Sequence, residues 1–559
     1  MRVRNLLAVT ASAGVAALLG VAALTPSAGA VSRSAATGYG RDDSQIKHVL
    51  LISVDGMHQQ DLAWYVRSYP HSVLADLDHQ GIEYSNALTT IISDSFPATA
   101  GLMTGGDPGV TGFYYDDTYN YDLFPAGTTK CAGSPPGAPV SYDQSIDVNP
   151  NRLDAGQGLK GLPGSILQMT SNLRSVINPA ALPVSAATCK PIYPNQYLEV
   201  NTIFNVVRDA GLRTAFSEKR PSYQFLAGPS GNGVEDFFAP EIASQAIGYP
   251  AGVSYDADVD ANMQYDSYKV QSVLNEIDGY NHSRTERVGV PALFGMNFQV
   301  VTTAEQLPES DGLAGGYLPG GEVPGPALTR AYNFVDAELG LLINQLKARG
   351  LAGSTAVIIT SKQGQAPTDP NDFKRVNDAP IIAGVDAAWA KIHPHTAPLV
   401  ANASDDDGIL WWLSNRSQTA ANFVKHYLLT HNSVAVNVHG KQLTVSASGL
   451  STVYAGTGAA ALFHVPVSDP RHPVIVGVVQ PGVIYDDAPD IAQHGGLNFQ
   501  DRSIPILVVA PGLRHGATVG APVEITQIAP TILQLLGLNP WSLQAVQIEH
   551  TQVLPGLLW

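Results

Sequence analysis

Apolar residues along this chain fall into short, nearly unbroken runs separated by stretches with helical spacing. The run His48-Val-Leu-Leu-Ile-Ser-Val-Asp55 ends in Asp-Gly. It predicts a strand buried on both faces, as in a parallel sheet, because a strand with one wet face would alternate polar and apolar positions. Similar runs recur at 291–297, 354–360 and 503–510. Between them, residues 330–350 place Val335, Leu339, Leu342, Ile343 and Leu346 on one face and stop at Gly350. That is an amphipathic helix followed by its C-cap. Segments 202–211 and 530–537 read the same way. Strands alternating with helices predict an α/β fold: a three-layer sandwich around a mainly parallel sheet, joined by right-handed crossovers.

Two regions depart from this rhythm. Residues 115–200 are rich in Pro, Gly, Asn and Tyr, and they read as an insertion packed over the catalytic face. The stretch 305–327 reads as a loop. At the start, Arg2 and Arg4 precede the apolar stretch from Leu6 to Leu24, and Ala28-Gly29-Ala30 offers a small-residue cleavage site. Residues 1–30 therefore read as an export signal. Residues 31–45 read as a disordered leader, and 46–559 as one domain carrying the insertion. A secreted protein without a membrane anchor is the expectation. In an oxidising compartment the only two cysteines, Cys131 and Cys189, suggest one disulfide, with two free buried thiols as the alternative.

Composition narrows the partners. The net charge is −17, and removal of a leader holding two arginines and no acid makes it −19. An acidic surface repels duplex nucleic acid and anionic membranes. A small-molecule substrate is the expectation.

The candidate chemistry sits at strand ends, where open α/β sheets bind ligands. Asp55 is either a metal ligand or an ordinary Asp-Gly turn. In Ser93-Asp94-Ser95-Phe96-Pro97, the proline suits the first helical turn, so Ser95 falls at a helix start. There it serves as an N-cap, or as a nucleophile whose phosphoryl group rests on free N–H donors. Ser93 and Thr99 are less well placed. Glu218-Lys219-Arg220 follows an expected strand at 214–217 and reads as a solvated charge run, with a cleft-facing role as the alternative. His393-Pro-His395 reads as a surface loop. Asp405-Asp-Asp407-Gly408 lacks the spacing of a calcium loop.

Taken together, Asp-Gly after the first strand, Ser-Phe-Pro at a helix start, Thr104-Gly-Gly106, Gly112-Phe-Tyr-Tyr-Asp116 and Gln493-His494-Gly-Gly496 resemble the type I phosphodiesterase/nucleotide pyrophosphatase branch of the alkaline phosphatase superfamily. The resemblance implies phosphoester hydrolysis through a serine nucleophile and a phospho-enzyme, with zinc or another divalent cation assisting. It places Asp55, Ser95 and His494 at metal-ligand positions. Where that family has further Asp and His ligands, this chain offers Asn297, and Lys362-Gln363 after the strand 354–360. An ammonium and two amides are poor cation ligands, so a reduced, one-ion site is expected. Lys362 is then a candidate catalytic cation, or else a strand-end lysine paired with an acid such as Asp369. Asn297, Gln363 and Thr99 are expected to line the phosphate pocket. The rival reading is a catalytically impaired relative that binds a phosphoryl ligand. Sulfatase-like chemistry lacks its Cys/Ser-x-Pro-x-Arg motif and is set aside.

Overall fold

The computed structural model describes residues 46–513 and 515–557. The signal-like stretch 1–30 and the leader 31–45 lie outside the described residues.

A nine-stranded sheet forms the centre. Its strands are β1 (His48–Val54), β2 (Ile82–Leu88), β3 (Ala215–Ser217), β4 (Asp236–Phe238), β5 (Leu293–Phe298), β6 (Thr355–Thr360), β7 (Ser503–Val509), β8 (Ala517–Val519) and β9 (Val523–Glu524). They lie in the order β8-β2-β7-β6-β1-β5-β3-β4, with β9 also on β2. β1, β5 and β6 are buried along almost their whole length, as the unbroken apolar runs require. Helices cover both faces. Helix α1 (Gln59–Ser68) follows β1, and α2 (Ser95–Thr104) follows β2. Then come α3 (Val259–Ile277), α4 (Val300–Gln306), α5 (Pro326–Ala348) and α6 (Ile528–Leu535). The stripe read from 330–350 packs as expected: Val335, Leu339, Leu342 and Leu346 of α5 join the core under β1, β5 and β6.

The pairings β6–β1, β1–β5, β5–β3 and β3–β4 are all parallel. Strand β7 runs antiparallel to both β6 and β2. Its direction has a simple cause. The chain crosses the carboxyl edge of the sheet through residues 493–502, so the next strand can only run back from that edge.

Residues 115–200 hold two short strand pairs and several 3-10 turns. Cys131 and Cys189 form a disulfide. Residues 374–485 build two four-stranded sheets around their own apolar core, which includes Trp389, Trp411 and Val424. This second core is not expected from the sequence. None of the helices among the described residues is long and apolar enough to cross a membrane.

Candidate active site

Four adjacent parallel strands, β6, β1, β5 and β3, end at the same edge. The register sets Ser53 opposite both Thr360 and Asn297, and Ser217 opposite Met296. The residues just past these ends therefore meet: Lys362 and Gln363, Asp55, Asn297 and Gln299, Glu218 and Lys219. The backbone stitches the ends together, with Asp55 N donating to Phe298 O at 3.0 Å and Gly56 N to Gln363 O at 3.1 Å.

Ser95 comes from the other side. It is the first residue of α2, and the cap is Asp94, whose carboxylate accepts from Phe96 N at 3.1 Å. The cap is thus the aspartate, which leaves the serine hydroxyl free for other partners. Lys219 Nζ donates to Ser95 Oγ at 3.0 Å, and Gln363 Nε2 does so at 3.2 Å. Ser95 is only 2% exposed. His494 reaches the edge because its loop pairs with the serine's: Gly495 N donates to Ser93 O at 2.9 Å, and Ser93 N to Gly496 O at 3.2 Å.

Asp55 is fully buried and saturated. Its Oδ2 lies 3.3 Å from Lys362 Nζ and 4.0 Å from Lys219 Nζ, and accepts from Asn297 Nδ2 at 3.2 Å and from Gln299 Nε2. Lys362 also meets Glu218 Oε1 at 2.9 Å and sits 4.4 Å from the Tyr223 ring centre. Its partners are thus Asp55 and Glu218, rather than Asp369. Burial works to raise the Asp55 carboxyl, but Lys362, Lys219 and the two amides outweigh it and hold it below the usual range. Burial, reinforced by Lys362, pushes the Lys219 ammonium down to about 8. Burial, with Lys219 and Lys362 adding, pushes the His494 imidazole down to about 3. Its buried Nδ1 makes no hydrogen bond and lies 3.7 Å from Asp94 Oδ2.

Most of the expected residues therefore meet: Asp55, Ser95, Lys362, Gln363, Asn297 and His494. Thr99 does not join them. Its hydroxyl is committed to the Ser95 carbonyl at 2.5 Å, one turn back in the helix, so it offers nothing to a phosphate. Lys219 is the residue that sequence reasoning misses. The run 218–220 is no solvated face, since Glu218 is 1% exposed and the Lys219 side chain 14%. Its one usable signal is position, directly after a strand end. His393 and His395 are exposed, and Asp406 accepts from Tyr115 OH.

The donors at this edge do not fit a pair of divalent ions. Two ammonium groups stand against Asp55 and Ser95, where bound ions would need oxygen and nitrogen lone pairs. Among the described residues, Asp55, His494 and a third acid or imidazole do not come within ligand distance of one another.

An α/β sheet with a serine at a helix start, facing a strand-end aspartate, is the layout of the alkaline phosphatase superfamily. The family model for type I phosphodiesterase / nucleotide pyrophosphatase matches residues 49–135 and 237–494, more than half of the chain, and the chain belongs to that family. The family is one of phosphoester hydrolases, usually zinc-dependent. Lys219 lies in the unmatched gap between the two stretches. Among solved structures, wild type alkaline phosphatase PafA aligns with a TM-score of 0.56 at 13% identity, covering 88% of this chain and 96% of its own. Murine ectonucleotide pyrophosphatase / phosphodiesterase 5 aligns with a TM-score of 0.51 at 15% identity, covering 89% and 99%. An inactive form of that murine protein in complex with AMP gives 0.50 at 15% identity, covering 88% and 96%. At such identities the likeness is one of fold. No curated protein matches the chain by sequence.

Proposed function

We propose that this chain is a secreted phosphoester hydrolase in which a Ser95–Lys219 pair does the work that metal-bound serine or threonine does in its relatives. The carrying observation is the 3.0 Å contact from Lys219 Nζ to Ser95 Oγ at the start of α2. A neutral Lys219 takes the hydroxyl proton as Oγ attacks phosphorus; the ester P–O bond breaks, and the leaving oxygen takes that proton back from the Lys219 ammonium and departs as the alcohol. The positive dipole end of α2, together with the Lys362 ammonium, faces the developing negative charge. Water then opens the phosphoserine and regenerates the hydroxyl. A small phosphodiester or nucleotide-like ester suits the role, in keeping with the AMP held by the inactive murine relative.

The test is turnover of bis(p-nitrophenyl) phosphate by chelator-treated protein. The expected result is activity that survives the chelator and falls at least about 10³-fold in Ser95→Ala, as nucleophile deletions do. Turnover equal in Ser95→Ala would sink the reading.

A second reading is a phosphoryl-ligand binding protein, favoured by the burial of Ser95 and the saturation of Asp55. AMP binding by calorimetry, with no Ser95-dependent turnover at any pH, would select it.

A further inference from the structure

The turn after Asp55 feeds a second buried cluster, one that catalysis at Ser95 does not use. His58 caps α1, and Asp61 lies one turn into that helix. Glu305 sits near the end of α4, and Tyr317 descends from the 305–327 loop. His58 is 2% exposed, and Asp61 and Glu305 are wholly buried.

Four donor atoms from four side chains converge there. His58 Nδ1 lies 2.9 Å from Asp61 Oδ2, 2.8 Å from Tyr317 OH and 3.6 Å from Glu305 Oε1. Tyr317 OH lies 2.9 Å from Asp61 Oδ2 and 2.7 Å from Glu305 Oε1. A tetrahedral ion with bonds of 2.0–2.1 Å sets its ligands about 3.3 Å apart; the contacts here bracket that spacing, and the His58, Asp61 and Glu305 ligand atoms all lie within 4.8 Å of one another.

Hydrogen counting shows what the cage lacks. The phenol brings one proton, and the ring nitrogen at most one, to five close contacts among these atoms. His58 Nε2 lies 2.8 Å from the Gln365 backbone carbonyl and also accepts from the Gln365 backbone N–H at 3.0 Å. An ion on Nδ1 requires the tautomer in which Nε2 carries the proton and gives it to that carbonyl, as in metal-bound imidazoles. Gln365 Nε2 in turn donates to Glu305 Oε2 at 2.6 Å, which orients that carboxylate. Asp61 Oδ2 also accepts from the His58 backbone at 2.8 Å, yet Asp61 Oδ1 is buried with no hydrogen-bond partner.

Charge points the same way. Among the described residues, no Lys or Arg lies within 4 Å of Asp61 or Glu305, whose ion-pair partner is His58 alone. Two carboxylates, a neutral imidazole and a phenol carry −2, which one divalent ion cancels.

We propose that His58, Asp61, Glu305 and Tyr317 hold one zinc-type divalent ion, separate from the Ser95 edge. The mixed nitrogen and oxygen set suits such an ion better than calcium or magnesium, which prefer all-oxygen shells. Its role is structural: it ties the 305–327 loop to the turn that carries Asp55. The same turn packs His58 against Gly364, where a Cβ would come 2.6 Å from the ring. The proposal stands whether or not Ser95 turns over phosphoesters.

The experiment is metal analysis of the purified full chain, followed by cobalt loading of chelator-stripped protein. The expected result is one ion per chain and the visible absorption of four-coordinate cobalt, retained in Ser95→Ala and Asp55→Asn. Glu305→Gln and His58→Gln are expected to weaken cobalt binding by tenfold or more, a span of about 10–100-fold being usual for changes around a metal site. If those variants fail to fold, the wild type still decides: its Tm falls on stripping and returns with zinc. Wild type that takes up neither zinc nor cobalt overturns the proposal, leaving a proton in the cage. Loss of the ion in Asp55→Asn but not in Glu305→Gln overturns it equally, by moving the ion to the Ser95 edge.

Discussion

Seven residues, Asp55 to Asp61, feed two buried anionic clusters that solve the same electrostatic problem differently. At the strand edge, Asp55 and Glu218 are neutralised by ammonium groups built into the chain, Lys362 and Lys219. One turn later, Asp61 and Glu305 have only an imidazole. An isolated buried charge costs several kcal/mol, so each cluster needs a counter-charge. Lys362 supplies it from the chain itself, and in doing so fills space that an ion would take. At the first cluster the positive charge is encoded in side chains of the chain itself.

The largest expected effect separates a working lysine from a structural one. Lys219→Met is expected to lower phosphodiester turnover by roughly 10²–10⁴-fold, the usual range for a general base, while leaving the unfolding transition near that of the wild type. A variant with full turnover would make Lys219 only a counter-charge, and the two clusters would then be alike in kind.

Next comes Lys362→Met, read by denaturant unfolding. Removing an ammonium that is itself 0% exposed strips Asp55 and Glu218 of their nearest cation. A broken buried pair of this kind costs about 3–5 kcal/mol. A loss under about 1 kcal/mol would show that the amides of Asn297 and Gln299 suffice.

The smallest effects are in pH. Lys219 accepts a proton only when neutral, so turnover should rise about tenfold per unit below its midpoint near 8 and level off above it. The groups facing Lys219 include Asp55, Glu218, Asp94, Asp116, Lys362, Arg220 and His494; Lys362 and Arg220 lower its pKa, and Asp55 and Glu218 raise it. Because Lys362 is the strongest of the lowering charges, its removal should move the midpoint upward, toward that of an ordinary lysine. A midpoint that stays put would assign the shift to burial alone.

Much of this site is legible in the chain's linear pattern. Buried parallel strands advertise themselves as unbroken apolar runs, and strand ends advertise a ligand edge, so Asp55 can be picked from its position, while Asn297 and Lys362 follow from the family resemblance. Pro97 places Ser95 at a helix start, although the cap itself is Asp94. Lys219 cannot be chosen this way, because a charge run after a three-residue strand looks the same whether it is solvated or buried. Thr99 looks available in the sequence, but only helix geometry shows that its hydroxyl is spent on the turn before it.

The alternating elements, the family motifs and the charge types offered at each strand end are thus written in the sequence alone. These are local properties, set by periodicity and by the two or three residues around each strand terminus. Which charges neutralise which is a matter of tertiary structure. Strand order and register bring β6, β1, β5 and β3 side by side, so that residues 55, 218, 297 and 362 share one edge. A loop with no periodicity of its own brings Tyr317 to His58, 259 residues away in sequence. Burial and distance govern electrostatic energy, and neither can be read from composition or spacing.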